Sequence, residues 1–225
     1  MTLAGARWGR VSALAAVALP VQAPAWALPD LAGRLVELSA SADAAHLTAA
    51  FGLVLEAQLG NDRAAWVTLI HSSFFPPDVI ASGIDLDAMP VVRVPDARIA
   101  GRAADHLLRS GGFGLVVVDL SAEAGSDRIG SARQARHPAA LRQPLPVPLL
   151  ARLLGLARQH NAVVLLLTVK PDDAPSIHSL ISLRADARRR RTDDGYEIGV
   201  RVIKDKRGGP GWTHVEICRG PDGLR

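Results

Sequence analysis

The chain has 225 residues, 48% of them hydrophobic, and a formal net charge of +4. That size and composition suit one globular domain with a substantial core, and no apolar run is long enough to span a bilayer. Lysine occurs only at Lys170, Lys204 and Lys206, so the basic charge is mostly arginine; a polyanion partner and simple compositional drift toward arginine both explain it. Cys218 is the only cysteine, which excludes an intrachain disulfide and a cysteine-based metal cluster. The histidines show no H-x-x-x-H spacing, and no metal site is expected.

In chain order, residues 1–27 form a separate N-terminal segment. Arg7 and Arg10 precede an apolar run over 11–21, and Ala25-Trp26-Ala27 has the small-x-small form of a cleavage site. The run is alanine-rich and interrupted by Pro20, so a short helix or arm is the expectation, with export kept as an alternative. The core is expected over 28–220 and a tail over 221–225. Apolar runs predict strands at 36–38, 64–70, 90–94, 115–118 (ending in Asp119), 162–169, 180–190, 197–206 and 212–218. Helical spacing predicts helices at 47–59, 98–110 and 148–160, the second closed by Gly111-Gly112. A loop rich in Gly, Ser, Arg and Pro covers 121–147. Strands alternating with helices imply a parallel sheet covered on both faces, and the last strands an antiparallel extension. Trp66 and Trp212 fall in strand-like runs and are expected in packing; Phe74-Phe75-Pro76-Pro77 is a candidate apolar tip that either docks a partner or packs beneath its loop.

Residues 34–48 have the outline of a phosphate-binding loop without its chemistry. A short strand leads through small residues into a helix, where a nucleotide site would place G-x-x-x-x-G-K-[ST]. Here the glycine positions hold Ala40 and Ala45, the lysine position His46 and the Mg²⁺-binding hydroxyl position Leu47; Thr48 lies one residue late.

Five segments carry a resemblance, in order along the chain. They are Leu28-Pro29 with Gly33-Arg34-Leu35-Val36-Glu37-Leu38; Gly83-Ile84-Asp85-Leu86-Asp87 with Pro95-Asp96; and Leu108-Arg109-Ser110-Gly111 with Val116-Val117-Val118-Asp119. Ser182-Leu183-Arg184-Ala185-Asp186-Ala187-Arg188-Arg189 and Arg201-Val202-Ile203-Lys204-Asp205-Lys206 complete the set. Together they resemble the bacterial RecA-type recombinase core. The resemblance implies an α/β RecA-like P-loop NTPase core: a mainly parallel central sheet flanked by helices, with a C-terminal antiparallel extension. The run Lys204 to Pro210 resembles the short RecA-like accessory proteins of bacterial mutagenesis cassettes (ImuA-like), which work beside error-prone polymerases.

Against that family the nucleotide chemistry is stripped. Alanine at a left-handed loop position costs roughly 1–2 kcal/mol, His46 is shorter than lysine and mostly neutral, and Leu47 offers no oxygen to a metal. Leu69-Ile70-His71 stands where the family has its catalytic glutamate, and Thr168-Val169 where it has its polar sensor. Asp119 ends the Walker B-like strand and reads either as a metal-holding residue or as a cap on the strand-to-loop turn. No catalytic residue and no cofactor are therefore expected, and Ala40, Ala45, His46, Leu47, Thr48 and Asp119 mark a vestigial nucleotide site.

DNA contact in the family comes from two loops. In the first region Arg128, Arg133, Arg136, His137 and Arg142 are candidates for single-stranded phosphates; the second, 171–178, is short and carries Asp172 and Asp173. The family's pair of interface lysines corresponds to Lys204 and Lys206, which with Arg207 are candidates for partner binding, a solvated edge strand being the alternative. The cluster 188–191 reads first as a solvated strand end. The resulting expectation is a cytoplasmic, non-catalytic RecA-like protein of the DNA-damage (SOS) response. It would act as an adaptor in translesion synthesis or filament regulation, with RecA or error-prone polymerase components as partners, single-stranded DNA as a candidate ligand and no membrane. The alternative is a DNA-dependent ATPase or recombinase with a degenerate site for ATP and Mg²⁺.

Overall fold

The computed structural model describes residues 25–40, 45–70, 76–121, 145–193 and 195–218. Its centre is one eight-stranded sheet in the order β3-β2-β4-β5-β1-β6-β7-β8. The strands are β1 Arg34–Ala40, β2 Ala64–Leu69, β3 Val91–Val94, β4 Leu115–Asp119, β5 Val163–Val169, β6 Leu183–Thr192, β7 Gly195–Asp205 and β8 Thr213–Cys218. Pairing is parallel from β3 through β6 and antiparallel for β6–β7 and β7–β8. The expected fold class is thus seen as an α/β protein with a mainly parallel sheet and an antiparallel C-terminal extension.

Both faces of the parallel part are covered, which is why its strands read as nearly continuous apolar runs. On one face lie α1 Leu28–Leu31 and α2 Ala45–Leu59. There Val36, Leu38, Trp66, Val117 and Leu165 pack against Ala49, Leu53 and Val54. The opposite face carries α4 Ala97–Arg109 and α5 Val147–Gln159 over Leu35, Val67, Val116, Val118 and Leu166. Asp96 caps α4 by accepting from the Ile99 N–H at 2.8 Å. A Cβ on Gly101 would lie 2.5 Å from Leu149 Cδ2, so this glycine sets the close approach of α4 to α5.

Several boundaries differ from the sequence expectation. Among the described residues helix α2 already includes Ala45 and His46, both buried, rather than beginning near residue 47. Strand β6 begins at Leu183 rather than residue 180, because residues 178–181 turn on an Ile181 N–H to His178 carbonyl bond. The short helices α1 and α3 (Pro76–Ala81) were not expected, being too brief for a periodic signal. Phe74 and Phe75 of the candidate apolar tip lie outside the described residues, and Pro76 and Pro77 open α3.

The tryptophans among the described residues have packing roles. Trp66 is fully buried and stacks on Phe51 with ring centres 4.6 Å apart. Trp26, grouped above with the N-terminal segment, is 4% exposed and sits in the core beside α2, where its indole N–H donates to the Ala49 carbonyl. Trp212 is half-buried, with its indole N–H directed at Asp205.

Candidate functional site

The carboxyl ends of β1, β2, β4 and β5 converge on one edge, the side on which open α/β sheets bind ligands. Parallel register sets Ala40 beside Val169, Asp119 beside Leu167 and Thr68 beside Asp119. Each expected residue of the vestigial nucleotide site can be located there. Ala40 ends β1 and Ala45 opens α2, both buried. His46, at the lysine position, is only 5% exposed, and Leu47 packs against the core cluster on the α2 face. Thr48 is exposed. Residues 41–44, the interior of the loop, lie outside the described residues, as does His71.

Asp119 is buried at the end of β4. Its Oδ1 accepts from the Ser121 N–H at 3.0 Å and from the Ser121 hydroxyl, and its Oδ2 faces the Thr68 hydroxyl at 3.5 Å. This is the arrangement of an Asp capping a strand-to-loop turn.

The lysine-arginine group lies elsewhere. Strand β7 runs antiparallel, so its end at Asp205 comes beside the start of β6, at the amino edge of the parallel sheet. Lys206 donates to the Ser179 carbonyl at 2.5 Å, and Arg207 donates to the carbonyls of Ala32 and Gly33 at 3.1 and 3.4 Å. Lys204 is half-buried; desolvation, then the Lys206 charge, pulls its ammonium below the usual lysine range. Within one molecule these residues therefore do not join the Ala40–Asp119 edge. Arg128, Arg133, Arg136, His137 and Arg142 lie outside the described residues.

Two polar centres carry no role in the sequence reading. Glu37 is fully buried in β1 beneath the loop that follows β5. It pairs with Lys170, accepts from the Thr168 hydroxyl at 3.2 Å and accepts from the Ile177 N–H at 3.0 Å. Arg34, 3% exposed at the start of β1, pairs with Asp205 and donates to the Ser182 carbonyl at 3.2 Å. An acid inside an apolar strand was the available signal for Glu37; its partner depends on strand register.

Farther out, Arg188 bonds Asp186 at 2.8 Å and Asp172 at 2.7 Å, Arg201 also pairs with Asp172, and Arg190 bonds Glu197 at 2.7 Å. Residual desolvation pulls the Asp172 carboxyl up, but the Arg201 and Arg188 guanidiniums outweigh it and hold it below the usual range. Asp172 of the acidic second loop is thus held between one arginine of β6 and one of β7.

Fold and edge together define an α/β protein with a mainly parallel sheet, the end of β1 and the start of α2 at its carboxyl edge and an acid ending a nearby strand. RecA proteins of Corynebacterium urealyticum and Corynebacterium jeikeium are each 34% identical to the chain over 87 residues. That stretch is 39% of this chain and spans only 23% of the RecA proteins' length. No protein-family model matches the chain. The likeness supports a RecA-like relationship, with which the sheet is compatible. No helix among the described residues is long and apolar enough to cross a membrane.

Proposed function

We propose that the chain is a non-catalytic RecA-like protein of the DNA-damage response, with a degenerate P-loop core. It acts in the cytoplasm as an adaptor in translesion synthesis or in regulating recombination filaments. The observation that carries this reading is what occupies the two key positions of the phosphate loop. His46 is buried where the resembled family places its lysine, and Leu47 turns to the core where the family places a metal-binding hydroxyl. A phosphate loop needs backbone N–H groups, a cation and an oxygen aimed outward at a helix N-terminus. Inward-facing side chains supply neither the cation nor the oxygen. Similarity to RecA supports a DNA-repair context for the scaffold. The lysines at Lys204 and Lys206, on the other edge of the sheet, then serve contact with a partner molecule.

Titration calorimetry with ATP and Mg²⁺ should show no saturable binding. Pull-downs should recover RecA, an error-prone polymerase component or single-stranded DNA. Failure to recover any of the three would overturn the adaptor reading. Saturable nucleotide binding that is lost on Asp119→Ala would replace it with the DNA-dependent ATPase.

A further inference from the structure

Strand β8 is the last strand of the sheet, paired with β7 on one side and, among the described residues, with nothing on the other. The direction of its backbone groups follows from the ladder. The Val202 N–H donates to the Trp212 carbonyl at 2.9 Å, and the register continues through Arg201 with Thr213, Val200 with His214 and Gly199 with Val215. Hydrogen-bonded and non-bonded pairs alternate along an antiparallel ladder. His214, Glu216 and Cys218 therefore bond inward to β7. The N–H and C=O groups of Thr213, Val215 and Ile217 point outward, away from the sheet.

The same residues also expose apolar side chains. Val215 is 54% exposed and Ile217 74%. Beside Val215, Gly199 leaves open space, since a Cβ there would meet nothing within 4 Å. Proteins usually blunt such an edge with lysine, proline, a bulge or a very short strand. The opposite edge follows that practice: β3 is only Val91–Val94 and carries Arg93. Strand β8 carries no lysine or proline, the bulge of Gly211 and Trp212 opposite Val202 lies before it, and over Thr213–Cys218 its register on β7 is unbroken.

We infer that β8 is a self-complementary docking edge whose occupant is β8 of a second copy of this chain, antiparallel and centred on Val215. Charge selects that register. With Val215 opposite Val215, His214 of each copy faces Glu216 of the other on one side of the sheet. On the other side, Thr213 faces Ile217 around the apolar centre. Shifting by one residue turns every side chain to the wrong face. Centring on Glu216 sets like charges opposite each other, which is destabilising. In the chosen register every outward N–H and C=O of Thr213, Val215 and Ile217 meets a partner. His214 and Glu216 already lie 2.9 Å apart within one chain, so two such pairs come together at the twofold axis. This inference stands independently of the nucleotide-edge reading.

Sedimentation equilibrium of the full chain should show a concentration-dependent dimer of twice the monomer mass. Val215→Pro removes an outward N–H without removing a bond to β7, a position where an edge strand tolerates proline; it should leave the circular dichroism unchanged and abolish the dimer. A cross-link checks the register without relying on that variant. Directly opposed hydrogen-bonded residues have Cα atoms about 5.5 Å apart, within disulfide range. In a Cys218→Ser background, Val215→Cys should therefore oxidise to a covalent dimer and Ile217→Cys should not. A chain monomeric at every concentration, a dimer that survives Val215→Pro, or equal cross-linking at both positions would each overturn the inference. So would a monomer whose outward β8 amides resist hydrogen exchange, because another segment would then cover the edge.

Discussion

Glu37 accepts a hydrogen bond from the Ile177 N–H at 3.0 Å, joining β1 to the loop that follows β5. The same carboxylate holds Lys170 at the end of β5. One buried acid thus fixes the relative position of the two segments that flank the carboxyl edge. A buried polar group is costly unless its hydrogen bonds are made, and here the carboxylate oxygens are matched by an ammonium, a hydroxyl and an amide.

Removing Glu37 should be costly. Desolvation pulls the Lys170 ammonium below the usual lysine range while the hydrogen bond and charge of Glu37 oppose that pull. Glu37→Ala leaves both the ammonium and the Ile177 amide without their acceptor, and breaking a buried pair costs about 3–5 kcal/mol. The lysine side chain retains 16% exposure, which favours the lower end of that range. Urea unfolding should show the loss, with faster hydrogen exchange at Ile177. Glu37→Gln should be milder in both measurements.

Acid should weaken the Arg34–Asp205 pair. Desolvation pulls the Asp205 carboxyl up, but the Arg34 hydrogen bond and the Arg207 N–H outweigh it and hold the group below the usual carboxylate range. A depressed folded value means the stabilisation is complete above the unfolded value of about 3.9 and is lost as pH falls through the lower folded value. Asp205→Asn should therefore begin less stable at neutral pH and lose less stability than the native chain below about pH 4. Urea midpoints across the acid range test this. Parallel curves for the two proteins would show that the pair contributes nothing to acid sensitivity.

Trp26 should behave as a core residue. It is 4% exposed in the cluster that holds α2 to the sheet. Trp26→Ala should destabilise by about 3–5 kcal/mol, and Trp26→Phe by less because most of the volume remains. Thermal unfolding followed by circular dichroism measures both. An unchanged midpoint for the alanine variant would show that the indole does not support the core.

Asp172→Ala should separate stability from charge. The residue sits at the surface between Arg188 and Arg201, where ion pairs contribute little to folding. The melting temperature should stay nearly constant. Arg188 keeps its bond to Asp186, but releasing Arg201 and removing one surface acid should move elution from a heparin column to higher salt, since polyanion affinity follows the number of available cations. Unchanged elution would mean that this face does not meet polyanions even when Arg201 is released.

Much of the fold was legible before the structure. Strand β4, Leu115–Asp119, declares itself by β-branched residues closed by an acid, and α4 by its helical spacing and the terminal Gly111-Gly112. The strand that ends at Ala40 and the helix that runs through Leu47 were also visible. Less was legible where meaning depends on contact. The arginine cluster at 188–191 is exposed, as expected of a solvated strand end, but the ion pairs of Arg188 and Arg190 and the seat of Arg189 over the Tyr196 ring could not be read without the fold.

The sequence by itself determined the strands and the longer helices and their order, because apolar period and turn residues act over a few neighbouring positions. Only the tertiary structure decided which strands became neighbours. That decision brought Arg34 to Asp205 and Glu37 to Lys170, drew Lys206 and Arg207 onto backbone carbonyls at the amino edge, and left β8 outermost. The physical reason is register: a buried charge takes its role from whatever stands opposite it across the sheet, and residues distant in the chain reach that position only when the strands pair.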